Sequence, residues 1–151
     1  MAEAGLVIRS ASPADADSIR RSIKNTLANP DGKRGRRNFE EAAERQELLI
    51  MERFDPLERR MKVVGFVEWH LRVDGSANLR DVGTTGEEPE PAIAKRLLRE
   101  FLRLVAPSSL QAKIREDQTI WNEVFSELPR FHLEGREFSR PHWRNVWVWP
   151  G

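Results

Sequence analysis

The chain has 151 residues, 39% of them hydrophobic, which suffices for one sizeable core and is short for two, so a single domain over residues 1–151 is expected. Its 25 Lys and Arg against 24 Asp and Glu leave a formal charge of +1, so no global field draws it to nucleic acid or to a membrane surface. The absence of cysteine excludes disulfides, thiolate metal sites and a cysteine nucleophile.

The opening MAEAGLVIRS has no basic segment ahead of a long apolar run, and no stretch approaches the roughly 18 apolar residues of a membrane span, so a cytoplasmic location is expected. LVIRSA is a short strand. Ser12, Pro13 and Asp15 then form a helix start, and Ile19, Ile23 and Leu27 follow at helical spacing, with a stop near Asn29 and Pro30. The loop DGKRGRR carries Lys33, Arg34, Arg36 and Arg37, a solvated basic loop or a phosphate contact. NFEEAAERQ reads as a second helix capped by Asn38.

ELLIMERF and RRMKVVGFVEWHLRV are strands separated by Asp55 and Pro56. In the second, Val63, Gly65, Val67, Trp69 and Leu71 share one face, and Val64, Phe66, Glu68 and His70 the other, which turns polar as if it opened into a cleft. NLRDVGT is a fourth strand, in which Gly83 marks a bulge or a close approach by another backbone. A long helix follows, with Ile93, Leu97, Phe101, Leu104 and Val105 as its buried stripe. LQAKIRE is a fifth strand, DQTIWNEVFSELP a fourth helix, and RFHLEGREF with HWRNVWVW a terminal antiparallel pair, whose Trp143, Trp147 and Trp149 suit core packing or a partner interface.

The order β-α-α-β-β-β-α-β-α-β-β argues for the α/β (α+β) class, with a mixed, mostly antiparallel central sheet, helices on both faces, and a parallel junction between the fourth and fifth strands. With these lengths, and with VIRSASPADADSIRRSI, VVGFVEWHL and KIREDQTIWNEVFSELPRF at its start, middle and end, the chain resembles the GNAT acetyltransferase superfamily over nearly its whole length. The resemblance implies an N-acyltransferase moving an acetyl or other acyl group from acyl-CoA to an amine. It implies that the pantetheine arm pairs with backbone near Val82 and Gly83, and that the pyrophosphate meets the helix start at Ala92, Ile93, Ala94 and Lys95.

Two departures accompany it. The superfamily's Gln/Arg-x-x-Gly-x-Gly/Ala turn falls on Pro89, Glu90, Pro91, Ala92, Ile93 and Ala94, of which only Ala94 fits; Pro91 removes a donor, and Glu87, Glu88 and Glu90 place negative charge where a pyrophosphate would lie. Those glutamates read first as ordinary helix-start residues that complement the helix dipole. The tyrosine that protonates the departing thiolate is missing, since Gln118, Trp121, Val124 and Phe125 stand in the pattern Asn-x-x-Ala-x-x-Leu-Tyr and the chain has no tyrosine.

Glu68 is the candidate general base, with His70 and Asp81 as the other catalytic candidates, while a polar strand surface explains the first two as well. His70, His132 and His142 are too scattered for a metal motif, so no metal is expected. Two function classes stay open. One is the acyltransferase. The other is a GNAT-fold protein with reduced or no catalysis that binds a small molecule or a protein partner; a homodimer suits either, and nucleic acid is disfavoured. An enzyme needs an open groove between the fourth and fifth strands reaching Glu68, whereas a binding protein can fill it with side chains such as Trp121 or Phe125.

Overall fold

The computed structural model describes residues 5–32 and 38–151, so the basic loop of Lys33, Arg34, Arg36 and Arg37 lies outside the described residues. The elements are β1 (Leu6–Ser10), a 3-10 turn (Pro13–Asp15), α1 (Ala16–Ser22), α2 (Phe39–Glu44), β2 (Leu48–Asp55), β3 (Arg60–Leu71), β4 (Ala77–Thr84), α3 (Pro91–Val105), β5 (Leu110–Arg115), α4 (Thr119–Glu127), β6 (His132–Ser139) and β7 (His142–Trp149). They build one seven-stranded sheet in the order β1-β2-β3-β4-β5-β7-β6. Every neighbouring pair is antiparallel except β4 with β5, as the strand order requires.

Alternation along β3 sends Phe66 to one face, where Ile19, Ile23, Phe39, Leu48 and Ile50 surround it beneath α1 and α2. Val67 and Trp69 point the other way, into the larger core with Leu97 and Phe101 of α3 and Trp121 and Phe125 of α4. Helices therefore cover both faces. Asn38 caps α2 as the sequence implies, accepting the Glu41 N–H at 3.1 Å. Asp15 closes the turn into α1 by accepting the Ser12 N–H at 2.7 Å and two bonds from Arg9 at 2.9 Å. Among the described residues no helix is long and apolar enough to cross a membrane.

Three local expectations are corrected. Between Met51 and Glu52 the β2–β3 register skips Val64, and the extra residue turns Val63 into the α1–α2 core and Val64 toward α3, opposite to strict alternation. On α3, Leu104 is half exposed, and Ala94 and Leu98 take the buried positions beside Ile93, Leu97 and Phe101. The third is the largest: α1 ends at Ser22, and Ile23 is already extended at φ −125°, ψ 110°. Leu27 is therefore not on a helix. Ile19 is on the helix as expected, but the segment from Ile23 to Leu27 instead crosses to β4.

Candidate functional site

β4 and β5 pair only through Ala77 with Leu110 and Asn78 with Gln111, and no further pair joins them. Beyond that point the inner edge of β4 faces the gap. Gly83 lies opposite Phe66 and the Thr85 N–H reaches Val64 O on the β3 side at 3.1 Å, so the Val82 amide and carbonyl point into the gap. At Val82 that edge is already used. The Leu27 N–H donates to Val82 O at 2.9 Å, Thr26 bridges antiparallel to Gly83, and the Val82 N–H is held by the Asp81 carboxylate at 2.9 Å.

Asp81, fully buried, ties the crossing segment down: it also accepts the Thr26 hydroxyl at 2.8 Å and the Ala28 N–H at 2.9 Å. Gly83 makes the crossing possible, because a Cβ there would meet Ile23 Cγ2 at 2.7 Å, Phe66 Cε1 at 2.8 Å and Thr26 Cγ2 at 3.0 Å. The close approach expected at this glycine is thus made by residues 23–26. Leu27, 5% exposed, joins Val82, Ile93, Ile114 and Trp121 in the main core. Thr26 and Leu27 are the residues at this gap that sequence reasoning missed, and Leu27 was concealed by its helical spacing from Ile19 and Ile23.

At the start of α3, Glu90 is the N-cap without a side-chain bond to the helix, Pro91 occupies the first helical position, and the Glu90 N–H goes to Thr84 Oγ1 at 3.0 Å. Ala92 is exposed, Ile93 and Ala94 are buried, and Lys95 turns to Glu127 of α4 at 3.3 Å. A cleft of about 260 Å³ opens in front of this turn, lined by Glu87, Glu88, Asp117 and Trp121 among others, with no cation among its described lining residues. The glutamates therefore do not cap the helix through their side chains; two of them, Glu87 and Glu88, line this cleft. Trp121, 1% exposed, stands where the superfamily pattern has alanine. These residues fit an acyl-CoA poorly: its strand edge is taken at Val82, and its phosphate turn is acidic and has Pro91 at the first helical position.

The catalytic candidates do come together in part. Glu68 and Asp81 are direct cross-strand partners on the α1–α2 face, 6% and 0% exposed. His70 lies one step further along, opposite Asn78, with Nδ1 3.5 Å from Glu47 Oε2. Burial pushes the Glu47 carboxyl up, but the Leu71 N–H at 2.7 Å, Arg45 and His70 outweigh it and leave the group below its ordinary value. His70 Nδ1 is buried and makes no hydrogen bond among the described residues. Of the C-terminal tryptophans, Trp147 is buried and donates to Asn122 Oδ1 at 2.9 Å and Trp149 packs against the core, whereas Trp143 is 44% exposed beside Phe138 and Arg136.

Neither a family model nor a curated protein matches the chain. Solved structures do. An acetyltransferase of the GNAT family from Bacillus cereus superposes with a TM-score of 0.74 at 14% identity, over 95% of each chain. An acetyltransferase structure from Salmonella typhimurium with its cofactor acetyl-CoA gives 0.67 at 15%, over 95% of this chain and 92% of that one. The ribosomal-protein-S18-alanine N-acetyltransferase from Escherichia coli gives 0.70 at 13%, again over 95% and 92%. At these identities the likeness is one of architecture: this chain has the GNAT fold.

Proposed function

We propose that this chain is a binding protein on the GNAT fold, its acyl-CoA groove closed by its own residues 26–28. The observation that carries the reading is the Leu27 N–H to Val82 O bond at 2.9 Å, which takes the strand-edge carbonyl that a pantetheine amide needs. Opening the groove breaks that bond and the two that Thr26 and Ala28 give to Asp81, at about 1 kcal/mol each. It also exposes Leu27, at about 2 kcal/mol. Together these weaken any cofactor by between three and four decades in affinity, at roughly 1.4 kcal/mol per decade.

The test is calorimetric titration of acetyl-CoA into the purified chain, with desulfo-CoA alongside. No saturable heat at millimolar ligand is the expected result. Micromolar binding, with acetyl transfer to an amine that is lost in Glu68→Gln, would replace this reading with a second one.

That second reading is acyl transfer from acyl-CoA to an amine, in keeping with fold neighbours that are named acetyltransferases, one of them solved with acetyl-CoA. It is favoured by the buried Glu68 facing Asp81, since a carboxylate shielded from water is suited to general-base work. Under it, Glu68 accepts the amine's proton with His70 and Asp81 beside it, and residues 26–28 must first leave β4.

A further inference from the structure

On the other side of residues 26–28 lies a larger cleft, of about 390 Å³. Its floor is Leu27, Ala28 and Leu79, and Asn78 and Gln111 supply amides. The remaining lining residues are Arg72, Arg80, Lys113, Arg115 and Arg144, so the described lining holds five cations and no carboxylate. Strand alternation assembles this set. Leu110, Ala112 and Ile114 of β5 enter the α3–α4 core, which turns Gln111, Lys113 and Arg115 to the opposite face. Arg144 of β7 is the cross-strand partner of Arg115, and the register irregularity between Glu68 and Trp69 leaves Arg80 as the extra residue on β4 at the cleft wall.

The charges are only partly neutralised. Lys113 and Arg144 share one carboxylate, Glu137, at 3.1 and 2.9 Å, and Arg115 holds Asp117 at 2.6 Å with Asp31 at 3.8 Å. Arg72 and Arg80 form no salt bridge among the described residues, and Arg144 Nε is buried with no hydrogen-bond partner. Like charges set directly across a sheet destabilise it, so Arg115 opposite Arg144 is an arrangement that a bound anion relieves. Guanidinium groups converging from three strands and a turn present the forked donors that phosphate oxygens accept.

We propose that this cleft binds a compact, multiply charged anion of the phosphate class, such as the phosphate or diphosphate group of a small molecule. This names a ligand for the binding role proposed above and rests on that reading for its meaning, but the cleft is lined separately from the acidic one at α3.

The probe is inorganic pyrophosphate, titrated by calorimetry into the whole chain at low salt. Saturable binding is expected, weakened at least about 10-fold in the double variant Arg72→Gln/Arg80→Gln, because charge-assisted hydrogen bonds are lost. Both residues are exposed, so thermal unfolding of the double variant should match the parent, and Arg136→Gln, outside the cleft, should bind as the parent does. No saturable heat at millimolar pyrophosphate, or equal affinity in parent and double variant, overturns the site. A single-stranded oligonucleotide that binds more tightly than pyrophosphate, with a salt slope of several ions, overturns the small-molecule assignment. Micromolar acetyl-CoA binding that survives Arg72→Gln/Arg80→Gln breaks the closed-groove reading and leaves this site standing; failure of pyrophosphate alone does the reverse.

Discussion

Two clefts flank residues 26–28, and they have opposite signs. The one at the start of α3 is lined by Glu87, Glu88 and Asp117 and no described cation, although a helix start is where backbone amides and the helix dipole favour an anion. The other, beyond β4, has no helix terminus to offer and yet gathers five cations. Under the closed-groove reading, residues 26–28 are the partition between the two clefts, with Thr26 on the acidic side and Leu27 and Ala28 on the basic one. The difference teaches that helix geometry proposes an anion site and side chains decide it: three carboxylates outweigh a dipole contribution of about 0.3–1 kcal/mol.

The largest test of this division is Trp121→Ala. The indole is 1% exposed, packs in the core with Leu27 and Ile93, and forms a wall of the acidic cleft. Truncation should lower unfolding free energy by about 3–5 kcal/mol in urea titrations, the usual cost of emptying a buried aromatic site. Pyrophosphate affinity at the basic cleft should not change. A loss under about 1 kcal/mol would mean that the side chain is not packed and that the groove stands open.

Asp81→Ala comes next and attacks the partition itself. It removes the acceptor for the Thr26 hydroxyl, the Ala28 N–H and the Val82 N–H, leaving buried donors without partners. A loss of about 2–3 kcal/mol is expected, measured by urea denaturation, since removing a desolvated polar group partly offsets the lost bonds. Hydrogen exchange gives the more specific readout: the Leu27 amide should lose protection relative to the Ile23 amide, which bonds within α1. Unchanged protection at Leu27 would show that β4 holds this segment without Asp81.

Much of this fold was legible because each element carries its own local reason. Asn38 caps a helix, LQAKIRE alternates, and the strand order forces a parallel junction. The division of the groove was not legible, because nothing local distinguishes Leu27 as a fourth helical position from Leu27 as a strand-edge plug; the deciding partners, Val82 and Asp81, lie more than fifty residues away. The basic cleft falls between these cases. Gln111, Lys113 and Arg115 stand out on one face of the fifth strand, but their meeting with Arg72, Arg80 and Arg144 needs the register of β3, β4 and β7. Glu68 facing Asp81 likewise depends on the β3–β4 register, which carries an irregularity right beside that pair.

The smallest expected effect concerns a strut that joins the clefts. Asp117 lines the acidic side, and its carboxylate grips Arg115 of the basic side through Nε at 3.0 Å and Nη2 at 2.6 Å. The Arg115 hydrogen bond above all, opposed by a smaller effect of burial and aided by the charges of Arg115 and His142, holds the Asp117 carboxyl below its ordinary 3.8. A lowered carboxylate stabilises the fold above its unfolded value and loses that contribution as pH falls through the folded one, so the grip is constant from pH 5 to 8 and fails only below about 4. The Asp117 side chain is 56% exposed, so solvent screens the pair, and Asp117→Asn should cost no more than about 0.5 kcal/mol. What it releases is Arg115. Pyrophosphate affinity at neutral pH should therefore rise by roughly 2-fold, in proportion to the screened pair it replaces. A fall instead would mean that Asp117 aims Arg115 into the cleft rather than restraining it, and that the two clefts cooperate.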